Sequence, residues 1–165
     1  MKVNLLLLLF LLTTCQKKES VVPVVAPQSE GTTASHLEDE VTTIIKKVNE
    51  SRPEHRKSLL ISFLNYADRV DGAVSELYGN FAFEYVEDQP KAFFSVLTPA
   101  DSLLVKKWAT VSATEMQILG DSKEGVDSVF VAMAALHTQH EKSFTPEERQ
   151  LDALYLKQLK QKISE

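Results

Sequence analysis

Residues 98–120 read TPADSLLVKKWATVSATEMQILG. Thr98 puts a side-chain oxygen where a helix needs its first cap, and Pro99 follows at the first helical position, where its missing N–H costs nothing. Leu104, Trp108, Val111, Met116 and Leu119 then recur at helical spacing, and Gly120 is placed to end the helix. Nothing in the stretch alternates with the period of two that marks a half-buried strand.

The flanking sequence carries the same signs. Ser35 with Glu38 and Ser51 with Glu54 form capping-box patterns, and Pro53 is tolerated in a first turn. Leu37, Val41, Ile44, Ile45 and Val48 make one apolar stripe; Leu59, Leu60, Phe63, Leu64 and Ala67 make the next, up to a break at Asp71-Gly72. A third runs through Val74, Leu77, Tyr78, Phe81, Ala82, Tyr85 and Val86. Gly79 lies inside it at a cost of about 1 kcal/mol relative to Ala, which points to close contact with a neighbouring helix. Gln89-Pro90 starts a short helix holding Phe93, Phe94 and Leu97. Asp121 and Glu124 open another, with Val126, Val129, Phe130, Met133 and Leu136. Thr145-Pro146-Glu147-Glu148 opens the last, with Leu151, Leu154, Tyr155, Leu159 and Ile163. Residues 35–165 are therefore expected to form an all-α domain of six or seven helices in a compact α-bundle. Pro53, Pro99 and Pro146 fall at near-equal intervals, at the upper end of two-helix repeat lengths, so stacked helix hairpins of the HEAT kind are the alternative arrangement.

Upstream of this domain the composition changes. Residues 16–34, QKKESVVPVVAPQSEGTTA, contain Pro23 and Pro27, which bias their neighbours toward extended backbone and remove ladder donors from the valine run. An extended spacer over 15–34, starting at the cysteine, fits this composition. Before it stands MKVNLLLLLFLLTTC, residues 1–15. Lys2 supplies a positive start, and Leu5 to Leu12 is an unbroken apolar run. At ~1.5 Å per helical residue the run is too short for a ~30 Å hydrocarbon core, and it has the form of a secretory signal peptide over 1–14.

Cys15 is the only cysteine of the chain, so it has no partner for an internal disulfide or a thiolate metal site. Leu12-Thr13-Thr14-Cys15 resembles the lipobox of bacterial lipoproteins, with Thr14 standing where Gly, Ala or Ser is usual. The resemblance covers residues 1–15 alone. It implies cleavage before Cys15, diacylglycerol on the thiol and acylation of the new amino terminus, palmitate being a typical chain. Two or three such chains hold a protein durably, whereas one holds it marginally. Gln16, in place of Asp, implies sorting to the outer membrane, with the domain facing the periplasm or the cell surface. A plain signal peptide cleaved elsewhere is the alternative.

The formal net charge of −5 argues against nucleic-acid binding, since an acidic surface repels phosphate. The one basic cluster near the end, Lys157 to Lys162, reads as the last turns of a helix, where cations suit the negative dipole end. No phosphate-binding glycine loop occurs, and no Ser sits in a nucleophile elbow, so no catalytic residue and no cofactor is expected. His137 and His140 share a helix face but lack further ligands, and HxxHE is not the HExxH arrangement. They read as a polar helix end near solvent, and no metal site is assigned. The carboxylates of Glu38-Asp39-Glu40, and Glu84 with Glu87-Asp88, read as solvated faces.

Phe83 lies off the third stripe, between Ala82 and Glu84, and is expected at the surface. With Phe93 or Phe94 it would form an apolar patch for a partner; coverage by a neighbouring helix is the alternative. The sequence therefore points to a lipid-anchored envelope module that binds a protein or peptide and is not an enzyme. A small-ligand binder with a pocket inside the bundle is the second reading, and a hydrolase the third. Mass spectrometry of the mature chain from a lipoprotein-processing bacterium should find acylated Cys15 as the first residue. An unmodified Cys15, or cleavage at another bond, would refute the anchor.

Overall fold

The computed structural model describes residues 31–165, with side chains from Ser35 onward. Seven α-helices follow in order: α1 Gly31–Glu50, α2 Pro53–Leu64, α3 Gly72–Asp88, α4 Pro90–Phe94, α5 Ser102–Gly120, α6 Lys123–His140 and α7 Pro146–Lys162. Single 3-10 turns, Pro99–Asp101 and Glu141–Ser143, lead into α5 and follow α6. No strand occurs among the described residues. The signal-peptide and lipobox segment and most of the spacer lie outside them.

α5 is the central helix. Val105, Trp108, Ala109, Ser112, Ala113, Glu115 and Met116 are all buried along it. The small residues Ala109, Ser112 and Ala113 leave room for close neighbours. α3, α6 and α7 pack along α5, and α2 meets it as well. Trp108 has no exposed surface, and its ring lies 5.1 Å from Phe63 of α2, 6.3 Å from Tyr85 of α3 and 5.0 Å from Phe93 of α4. Its indole N–H donates to the Ala82 carbonyl at 2.7 Å, and the Ser112 hydroxyl donates to the same oxygen at 3.2 Å. In a hairpin array each unit meets only its neighbours. Here the helices close around α5 with one contiguous core, so the chain is a bundle, and the three prolines mark helix starts.

Several helix ends differ from the sequence pattern. α1 includes residues 31–34, expected in the spacer, and Ser35 lies inside it, where a side chain cannot serve as N-cap. Ser51 does not cap α2. Its hydroxyl donates back to the Val48 carbonyl at 2.8 Å, and α2 starts from extended Arg52 without a side-chain cap. Arg56 of α2 fastens this corner, its guanidinium donating to the Ser51 carbonyl at 2.8 Å. α7 does open on its box: the Thr145 N–H donates to Glu148 Oε2 at 2.7 Å, and the Glu148 N–H donates to Thr145 Oγ1 at 3.2 Å. The basic end of α7 is likewise helical, with Lys160 paired to Asp127 of α6 at 2.6 Å.

The α5–α6 joint reverses the chain in two residues. Its left-handed residue is Asp121, with φ 54°, and not Gly120. Gly120 serves packing instead: a Cβ there would lie 2.4 Å from the Val126 nitrogen, and one on Gly125 would lie 1.8 Å from the Gly120 oxygen. Ser122 caps α6 by accepting from the Gly125 N–H at 3.1 Å. Replacing Asp121 by Gly relieves a left-handed conformation and should raise stability by about 1 kcal/mol. Gly125→Ala should lower it by about 2 kcal/mol or more, because the new carbon meets backbone. Urea denaturation of the two variants checks both signs.

Candidate functional site

The three phenylalanines expected at a partner surface are all inside. Phe83 is 4 % exposed, and Phe93 and Phe94 are fully buried. α3 is covered by α1 and α5 and meets α6, so more than one of its faces is apolar and Phe83 is enclosed off the main stripe. Phe93 packs against Trp108 and Tyr85; Phe94 packs against Phe144 at 5.8 Å and Tyr155 at 6.2 Å. Cys15, the lipidation residue, lies outside the described residues.

The exposed apolar residues are elsewhere. Leu103 is 65 % exposed and Ile118 is 60 % exposed, both on α5, and Ile61 of α2 faces solvent as well. Leu103, Lys107, Thr110, Thr114 and Ile118 follow at spacings of three and four, which puts them along one side of α5. That side borders two pockets in succession, each of about 240 Å³ and open to solvent. The first lies between Leu103, Leu104 and Lys107 and the end of α2, at Ile61, Leu64 and Asn65. The second lies between Thr110, Thr114 and Ile118 and the following chain, at Val70, Tyr78 and Gly79. From Leu103 to Ile118 the helix rises by about 22 Å.

The two pockets differ in charge. Asp101 edges the first, where the Lys57 ammonium binds it at 2.7 Å and the Thr98 N–H donates to it at 2.8 Å. Burial opposes ionisation there, but the hydrogen bonds from Lys57 and Thr98 prevail and hold its carboxyl below the usual value. Glu115 lines the second pocket and is 3 % exposed, with neither ion pair nor hydrogen bond among the described residues. Burial pushes its carboxyl above the usual range, and the charges of Glu76 and Glu84 push it the same way. The space for it comes from Gly79, where a Cβ would stand 2.6 Å from Glu115 Oε2. The close contact expected at Gly79 is therefore with a side chain of α5. Beside it Tyr78 stacks on Phe63 at 4.2 Å, and its buried hydroxyl has no partner among the described residues. Burial, and then Asp68, raise the Tyr78 phenol above its ordinary value.

A second polar cluster is purely internal. His137 is fully buried, contrary to the expected solvent-facing helix end, while His140 is exposed. His137 Nδ1 bonds to Asp152 Oδ1 of α7, and the ring stacks on Tyr155 at 5.8 Å. This pair joins α6 to α7 and borders neither pocket. No cluster of three or more metal-ligating side chains occurs among the described residues, and no described helix is long and apolar enough to cross a membrane.

Comparison with family models, curated proteins and solved structures finds no match to this chain.

Glu115 carries a stability cost with a definite sign. Its folded carboxyl binds a proton more tightly than the unfolded chain does. Its contribution is therefore favourable below the unfolded value and is lost as pH rises through the folded one. Glu115→Gln should stabilise the protein at pH 7 by about 1 kcal/mol. The gain over wild type should shrink toward pH 4, which urea denaturation at the two pH values measures.

Proposed function

We propose that the chain is a lipid-anchored protein of the bacterial cell envelope that binds a protein or peptide partner along the outer side of α5. The observation supporting the binding role is the apolar exposure at Ile61, Leu103 and Ile118, beside pockets that continue along one helix. Single exposed apolar residues are ordinary, but residues gathered along a groove form a surface that a partner can dry. A groove of about 22 Å accommodates roughly six or seven extended residues, or one helix face. The lipobox resemblance at Leu12 to Cys15 supports the anchor and the outer-membrane placement. In this role the chain acts by binding, with no catalytic step. A pocket opening on the surface favours a partner's side chains over a small ligand enclosed by the bundle.

Photo-crosslinking in intact cells tests the surface. A crosslinker at Leu103 or Ile118 should give a discrete adduct of one size. The same group at Val131 of α6, which is 64 % exposed, should give none. Equal labelling from all three positions, or none from the α5 pair, would exclude the groove as the binding surface.

A further inference from the structure

The second pocket has chemistry that selects among partners. Glu115 is 3 % exposed, and among the described residues no cation and no donor meets its carboxylate. Such a group is costly unless something pairs with it. Its charged surroundings, Glu76 and Glu84, are of the same sign. Thr110 and Thr114 spend their hydroxyl hydrogens on their own helix, donating to the Lys106 carbonyl at 3.0 Å and the Thr110 carbonyl at 3.4 Å. Their oxygens remain as acceptors. The buried Tyr78 hydroxyl is without a partner among the described residues as well. The Tyr78 hydroxyl can donate as well as accept, so it is the acidic charge of Glu115, Glu76 and Glu84 that disfavours an anion. Val70, Val111 and Ile118 supply apolar walls that suit the methylene stem of a long cationic side chain.

We propose that the pocket between α3 and α5 at Tyr78, Gly79 and Glu115 receives a cationic side chain, lysine or arginine, of the partner peptide. This rests on the partner-binding role proposed above and adds to it the chemistry of one contact. The ammonium or guanidinium donates to the Glu115 carboxylate and the Tyr78 oxygen. Neighbouring apolar residues of the same peptide cover Leu103 and Ile61.

Two probes separate the pocket from the groove. A random peptide library is selected against the full chain in detergent micelles. N-acetyl-lysine methylamide, its arginine counterpart and the uncharged norleucine analogue are titrated while the Glu115 side-chain carbonyl carbon is followed by NMR. The expected result is a shared Lys or Arg in the selected peptides, with affinity reduced at least about tenfold by norleucine there or by Glu115→Gln in the protein. The cationic probes, and not norleucine, should move the Glu115 signal, and the stronger of the two identifies the preferred cation. Glu115→Gln is expected to be the more stable protein, so a loss of binding would not reflect unfolding. Selected peptides without a basic residue, indifferent to Glu115→Gln, would overturn the cation pocket and leave the groove standing. A cationic probe that binds while the library yields nothing would support the cation site and overturn the peptide role. Failure of both probes would overturn both.

Discussion

One carbonyl oxygen, that of Ala82, takes side-chain hydrogen bonds from both Trp108 and Ser112 of α5. A buried indole N–H left without an acceptor costs about 1–3 kcal/mol, so α3 and α5 are held where the bond can form. The position of the indole then dictates what surrounds it. Phe63, Phe81, Tyr85 and Phe93 all lie within ring-contact distance of Trp108, and they come from α2, α3 and α4. Dispersion and area burial supply most of the stabilisation, but the hydrogen bond gives that burial its register.

The polar groups inside the bundle differ in how far they are paired. His137 Nδ1 and Asp152 bond across α6 and α7, with Tyr155 stacked on the imidazole, while the buried His137 Nε2 has no partner among the described residues. Glu148 is similarly engaged, bonded to the Thr145 backbone and to Lys91 of α4. These contacts tie the last helix to the rest. Glu115 contrasts with them: it is as deeply placed, and its carboxylate has neither ion pair nor hydrogen bond among the described residues. Structural polar groups in interiors are normally matched. An unmatched one beside an open pocket, with a glycine opposite to make room, is the kind of local inconsistency that accompanies a site in use.

Much of the fold was legible because α5 and α7 announce themselves through Thr-Pro starts and apolar stripes that are indeed buried at Trp108, Met116, Leu151, Tyr155 and Leu159. Stripes alone could not tell which apolar positions stay outside: Leu77 and Leu119 fit the period, yet both face solvent. Phe83 illustrates the converse, since its burial depends on how many neighbours α3 has. Ser51 shows how local competition defeats a cap motif, because the preceding helix end offered its hydroxyl a carbonyl first. His137 could not be read correctly from its own helix, as its partner Asp152 lies on the next. The second pocket did leave a trace: Glu115 is a charged residue inside the apolar stripe of α5, seven residues beyond Trp108 and so on nearly the same face. Weighing that acid against Gly79 on another helix required the fold.

The single tryptophan sits where the helices converge and not where a partner would bind. Its emission is therefore a reporter of the core alone. Packed among aromatic rings and shielded from water, it should fluoresce at short wavelength in the folded chain and shift to the red only when α3 and α5 separate. Occupation of the outer side of α5 would leave that signal almost still. A protein of this design has a built-in optical gauge of its integrity that is blind to its ligand, which allows folding and binding to be observed independently in one sample.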